Sequence, residues 1–275
     1  MITETDIYNA DLKLDQYLDN ARIDTSINIT CPPVILYVKE TGFTAVNYRR
    51  VFTLGNFSCI TGRYKTMKTT LLAMITAAII KGKDKSDTFS GELPFGKKNI
   101  VYFDTEQGDY DAYNTICKIE KLSEKSDNFS GYSLREYEPR QRCEIVEYYF
   151  KLYGKMTALC IIDGIADLST TINDEQEATK LTSMLLRLTK QYNCHIATII
   201  HQNKGDNYAT GHIGTSIMKK SEIIISVTKL KHNKKISEIA CDYSRGVDFE
   251  SFYIRYGADD LPEIFKDKNL NNDPF

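Results

Sequence analysis

The sequence predicts an α/β fold in which a mainly parallel central sheet is flanked by helices, with antiparallel strands toward the C-terminal side. Three observations carry this. From Phe57 onward, strand-like and helix-like segments alternate, the pattern of a parallel sheet covered by helices. The run Ala158–Ile162 is continuously apolar and reads as a buried central strand. The stretch after Lys68 places Leu71, Leu72, Met74, Ile75, Ala78 and Ile79 nearly all round a helix, which suits burial between the sheet and its neighbours.

The 275 residues are compatible with one main α/β domain. Residues 1–32 form an N-terminal extension, polar and acidic with a weak helical pattern, and Pro32 and Pro33 stop any regular element there. The domain proper is expected over 33–265. It begins with a small hairpin, Val34–Val38 and Phe43–Thr53 about the Thr41-Gly42 turn, followed by an apolar strand at Phe57–Ile60. Next come the helix after Lys68, the strand Ile100–Phe103, a helix over 109–124, a short strand near 131–136 and a helix around 140–152. After the central strand, Asp174 with Glu177 three residues on resembles a capping box, opening a helix to about 192 whose Leu181, Met184, Leu185, Leu188 and Tyr192 share a face. Strands follow at Ile196–Ile200, Ile223–Val227, Ile236–Cys241 and Phe252–Arg255. Residues 266–275 form a polar, loose tail.

Composition narrows the function classes without naming one. Hydrophobic residues make up 42% and charged residues 26%, as in ordinary globular chains. The formal net charge of -2 supplies no general attraction for nucleic acid, so any such contact needs a local basic patch. The seven cysteines are scattered, with no Cys-x-x-Cys pair, and the four histidines lack metal-cluster spacing; reduced thiols in the cytoplasm are expected, and a zinc site is not. The N-terminus has no signal-like pattern, and no apolar run reaches the roughly 18 residues of a membrane span.

The chemistry concentrates between the apolar strand ending near Ile60 and the apolar helix after Lys68. There stand Gly62, Arg63, Tyr64, Lys65, Thr66, Met67, Lys68 and Thr69, followed by Thr70. A strand–loop–helix junction is where backbone N–H groups and a helix N-terminus face an anion together. In that reading Lys68 neutralises phosphate oxygens, the Thr69 hydroxyl ligates Mg²⁺, and the loop binds ATP. Met67 occupies the second glycine position of the G-x-x-x-x-G-K-[ST] pattern. The bland reading of the same residues is a basic surface turn. Two acids at strand ends favour the first: Asp163 closes Leu159–Asp163 and would order the metal, while Glu106, just past Val101–Asp104, would polarise the attacking water. Either acid taken singly reads equally well as a solvated strand end.

These residues resemble the RecA/DnaB superfamily, most closely the RepA-like ATPases of plasmids and other mobile elements, over about Pro33 to Arg255. The resemblance implies a RecA-like P-loop core. It also implies that His201, in Ile199-Ile-His201-Gln-Asn-Lys204, senses the terminal phosphate. Gly211, Gly214, Thr215 and Ser216, ahead of Lys219 and Lys220, resemble a mobile DNA-contacting loop, here 205–220, that would touch DNA, single-stranded, in the channel of a homo-oligomer such as a hexameric ring. Arg245 stands where such rings carry an arginine reaching into the neighbouring subunit's site. Tyr243 stands where replicative helicases usually have lysine. Lys229, Lys231, Lys234 and Lys235 cluster in a hairpin-like turn, read either as a solvated edge or as part of a basic lining. The expected function is an ATP-driven helicase or translocase, with a nucleotide-dependent DNA-maintenance regulator or assembly ATPase as the alternative.

Overall fold

A computed structural model describes residues 4–42, 45–124, 128–202 and 211–265. The chain divides into two compact units, Met1–Cys31 and Pro32–Phe275. The first contains helix α1 (Glu4–Ala21), which leaves Leu14, Tyr17 and Leu18 exposed. The expected tail 266–275, residues 205–210 of the expected DNA loop and Lys204 of the expected sensor segment lie outside the described residues.

In the second unit the elements run in order β1 (Val34–Thr41), β2 (Val46–Thr53), β3 (Phe57–Gly62), α2 (Lys68–Lys81), β4 (Phe89–Gly91), β5 (Asn99–Asp104), α3 (Asp109–Ser123), β6 (Phe129–Ser133), α4 (Pro139–Tyr153) and β7 (Thr157–Asp163). They continue with α5 (Glu175–Tyr192), β8 (His195–His201), α6 (Gly211–Lys220), β9 (Ile223–Lys229), β10 (Ser237–Ser244), β11 (Phe252–Tyr256) and β12 (Pro262–Phe265). Among the described residues these strands form two sheets: three-stranded, β2-β1-β4, and nine-stranded, β12-β11-β10-β9-β3-β8-β7-β5-β6. From β9 through β3, β8, β7 and β5 to β6 the pairing is parallel; β10, β11 and β12 extend the sheet antiparallel. The fold is thus the expected one.

Alternation along each central strand sends successive side chains to opposite faces. Ile60, Tyr102, Leu159, Ile161 and Ile199 join Leu71, Leu72, Ile75 and Ile79 of α2 and the small sheet's Leu36 and Phe52. Cys59, Phe103, Cys160, Ile162 and Ile200 join Phe150 of α4, Leu181 and Leu185 of α5, and Ile213 and Ile217 of α6. The central strands are buried on both sides because each face has its own core, which explains their unbroken apolar runs.

Several local expectations change. The hairpin gains a third strand: β4, too short to show a period, pairs antiparallel with β1. The strand expected near 131–136 ends at Ser133, after which Leu134 N–H returns to the Asp104 carbonyl at 2.7 Å. Asp174 caps α5 by accepting from Gln176 and Glu177 N–H groups, at 2.7 and 3.0 Å. The Glu177 carboxylate turns to Ser169 and Lys180, so the cap is a simple Asp cap and not a box. Most consequentially, the 211–220 part of the expected mobile loop is helix α6. The resemblance implies a loop, but Ile213 and Ile217, four apart, bury one stripe, and Ser216 Oγ meets Thr182 Oγ1 of α5 at 2.8 Å.

Gly91 marks the closest approach of the small sheet to α2. A Cβ there would lie 2.3 Å from Ile79 Cα and 2.5 Å from the Ala78 carbonyl oxygen, backbone atoms that cannot rotate away. Gly91→Ala is expected to destabilise the fold by about 2–3 kcal/mol through overpacking, read as a lowered urea midpoint at unchanged m-value.

Candidate active site

The parallel register carries the C-terminal ends of β3, β5, β7 and β8 to one sheet edge. Gly62 faces His201 across β3–β8, and Asp104 faces Asp163 across β5–β7. In open α/β sheets this edge is where ligands bind.

The loop from Gly62 to Lys68 turns tightly over that edge. Gly62 has φ 155, and a Cβ on it would sit 2.4 Å from the Val227 carbonyl oxygen and 2.7 Å from Thr66 Oγ1, so only glycine fits. Thr66 Oγ1 donates to the Arg63 carbonyl at 2.9 Å, and Ser237 Oγ donates to the Thr66 carbonyl at 2.9 Å. Met67, at φ 74 and ψ 26, takes the left-handed backbone usual for glycine, a conformation costing a non-glycine residue about 1 kcal/mol or more. Its side chain packs, partly buried, against the main core cluster, which offsets part of that cost. Met67 is also the N-cap of α2 and makes no side-chain cap bond. The first N–H groups of α2 therefore have no side-chain acceptor at the cap, and the helix's positive end points into the site.

Lys68 is 5% exposed, and its Nζ donates to the Gly62 and Arg63 carbonyls at 3.0 and 2.8 Å. Burial lowers its pKa to about 8, against the opposing pull of the Glu106 and Asp163 carboxylates. Thr69 Oγ1 donates to Asp163 Oδ2 at 2.7 Å, and the Tyr102 hydroxyl donates to the same oxygen at 2.6 Å. Asp163 is 3% exposed; burial raises its pKa to about 6 despite those two donors, with Asp104 and Glu106 adding repulsion.

The two acids at the end of β5 have different work. Asp104 accepts from the Glu106 and Gln107 N–H groups at 3.1 and 2.8 Å and from Gln107 Nε2 at 2.6 Å, so it shapes the strand exit. Glu106 is left facing the cleft, where its Oε2 lies 3.0 Å from His201 Nε2. That hydrogen bond is the main cause of its lowered pKa. Tyr64, from the loop, stacks on the His201 ring with centroids 4.1 Å apart and planes at 23°. Thr105 Oγ1 reaches the Asp163 and Gly164 carbonyls at 2.8 and 2.9 Å, tying the two strand exits together.

Tyr64, Lys65, Thr66, Met67, Lys68 and Thr69 line a cleft of about 490 Å³ with Glu106, Asp163 and His201, and also with Gln107, Lys229 and Tyr256, which sequence reasoning did not single out for it. Arg63 is exposed. Thr70 turns its hydroxyl to the Tyr256 hydroxyl at 2.8 Å, and Lys118 Nζ stands 3.1 Å from that oxygen. Arg245 is not brought to this edge. It follows β10, whose end pairs with Ile223 at the start of β9, so it lies at the opposite edge of the sheet. There its N–H donates to the Glu222 carbonyl at 2.8 Å and its guanidinium to the Lys220 carbonyl at 3.3 Å. A larger cleft, about 840 Å³ between α4 and α5, is more apolar and lies away from these residues.

The residues fit a magnesium–polyphosphate. A buried ammonium, an uncapped helix start, and a hydroxyl beside a buried carboxylate form the donor set for an anion carrying a hard cation. Among the described residues no cluster of three His, Cys, Asp or Glu is placed to hold a metal. Among those residues, too, no helix is long and apolar enough to cross a membrane.

The sheet order and the strand–loop–helix edge define the RecA-like α/β fold. A solved structure of a RadB recombinase shares it, with a TM-score of 0.52 over 78% of this chain and 92% of that one. The two sequences are 13% identical, so the likeness is one of fold. No protein-family model and no curated protein matches this sequence.

Asp163 provides a measurable signature. A carboxyl whose folded pKa lies above its unfolded value favours folding when protonated; its contribution is present at low pH and is lost as pH rises to about 6. In nucleotide-free protein, Asp163→Asn is expected to stabilise the fold at pH 8 by an amount on the order of 2 kcal/mol, and by less at pH 5. Urea unfolding of both proteins at the two pH values checks this.

Proposed function

We propose that the chain is a P-loop ATPase that binds Mg²⁺ and ATP in this cleft and couples hydrolysis to work on DNA. The observation that carries the reading is the meeting of Lys68, Thr69, Asp163 and Glu106 around an uncapped helix start at the carboxyl edge of the sheet. Loop 62–70 holds the phosphates through N–H groups and Lys68, whose ammonium exchanges loop carbonyls for phosphate oxygens. Thr69 and Asp163 hold Mg²⁺, which when bound offsets charge on the phosphate oxygens. The Glu106 carboxylate takes a proton from the water that attacks the terminal phosphorus, as the bond to the ADP oxygen breaks and phosphate leaves. His201 holds Glu106 in the present arrangement. Releasing that contact frees the base and shifts the end of β8, which leads toward 205–220.

In the finer reading the chain is a RepA-like helicase or translocase of a plasmid or mobile element, working in the cytoplasm as a homo-oligomer, with a hexameric ring as one form. Single-stranded DNA is engaged through 205–220, where α6 offers Lys219 and Lys220 at its end. Arg245, exposed and away from its own subunit's cleft, acts in the neighbouring subunit. The fold likeness to a RadB recombinase supports the DNA role. One observation favours a second reading, a DNA-maintenance regulator or assembly ATPase without unwinding. Met67 fills a glycine conformation with a large side chain beside the phosphates, which suits tight binding with slow turnover.

Lys68→Ala is expected to abolish ATP binding, whereas Glu106→Gln keeps binding and lowers turnover about a hundredfold or more. Titration with a fluorescent ATP analogue and a phosphate-release assay, with and without single-stranded DNA, read the two effects. Equal loss of binding in both variants refutes the division of labour. Tight binding with negligible hydrolysis, unchanged by DNA, selects the regulator.

A further inference from the structure

The lysine cluster of the β9–β10 turn does not act as one unit. Lys231, Lys234 and Lys235 are exposed and none lines the cleft, whereas Lys229 is half-buried and does. The register explains the difference. β9 runs parallel beside β3 with Ser226 opposite Thr61; β3 gives way to the loop after Gly62, while β9 continues to Lys229, which lines the same cleft as Lys68. The position is fixed at two points. Lys229 pairs with Ser237 across β9–β10, and Ser237 Oγ donates to the Thr66 carbonyl at 2.9 Å. The strand carrying Lys229 is therefore bonded to the loop that faces the phosphates.

Charge points the same way. Among the described residues no salt bridge includes Lys229. The cleft holds three lysines, Lys65, Lys68 and Lys229, against two carboxylates, Glu106 and Asp163. With lysines in excess over carboxylates, the cleft favours a polyanion, which brings charge of the opposite sign to Lys229.

We propose that Lys229 is a second phosphate-binding cation of the cleft, supplied by the chain's own β9–β10 turn, which makes affinity rise with the number of phosphates on the nucleotide. This rests on the nucleotide reading above. Lys229 is then part of the nucleotide site and not of a DNA-facing lining, and it adds in the same subunit a positive charge of the kind that Arg245 would bring from a neighbour.

The test compares wild type with Lys229→Met, which keeps the aliphatic stem, Lys229→Arg, and Lys234→Met as a control from the same turn. Fluorescent ATP and ADP analogues and a labelled single-stranded oligonucleotide are the probes. Lys229→Met is expected to weaken the ATP analogue about tenfold and the ADP analogue less. Lys229→Arg should restore most of the loss, and Lys234→Met should change neither nucleotide. Thermal midpoints without nucleotide should match wild type. Unchanged ATP affinity in Lys229→Met, equal losses for the two nucleotides, or a loss confined to the oligonucleotide would each overturn the assignment. If wild type itself binds no nucleotide, the ATPase reading fails with it; if wild type binds and Lys229→Met binds equally well, only Lys229 loses its role.

Discussion

The site depends on one buried carboxylate oxygen. Asp163 Oδ2 accepts from Thr69 at the start of α2 and from Tyr102 within β5, so a single atom joins the loop-borne helix, the central strand and its neighbour. Burying that charge is unfavourable, and two hydroxyl donors leave the pKa still raised to about 6. Such an arrangement costs stability and leaves a carboxylate at the helix start. A cation bound there would meet a preformed ligand whose desolvation is already complete, so the cost would lie in the fold and not in the binding step.

Around that atom the edge is built in layers. Asp104 organises the exit of β5 by taking N–H groups that would otherwise be unmatched, and this leaves Glu106 to face the cleft. Thr105 joins the exits of β5 and β7. His201 of β8 then holds Glu106, and Tyr64 of the loop stacks on the His201 ring. Glu106, His201 and the loop from Gly62 to Lys68 are therefore joined by direct contacts.

What the sequence disclosed follows the range of each signal. Lys68, Thr69, Asp163, Glu106 and His201 are legible because each stands at the end of an apolar strand or the start of an apolar helix, and a parallel sheet brings such ends to one edge. Tyr102 was hidden inside the run it belongs to: its ring reads as core, and only coordinates show its hydroxyl on Asp163. Lys229 and Tyr256 needed the register of the antiparallel strands, which composition does not set. The helix at 211–220 shows the opposite error. The loop expected there rests on the family resemblance of Gly211, Gly214, Thr215 and Ser216, yet the isoleucine spacing decides the structure because it buries apolar surface on α5.

The closeness of Gly62 to the Val227 carbonyl, together with the Ser237–Thr66 bond, fastens the front of the loop to the antiparallel wing of the sheet. That flank cannot yield without dragging β9 and β10 along. The far flank is held differently, by contacts that include a stacked ring and an imidazole–carboxylate bond. The cleft is built like a door with one jamb anchored in the masonry, so a strain applied to the wing, by a neighbour or by a mutation, would be felt at the Gly62–Lys68 loop first.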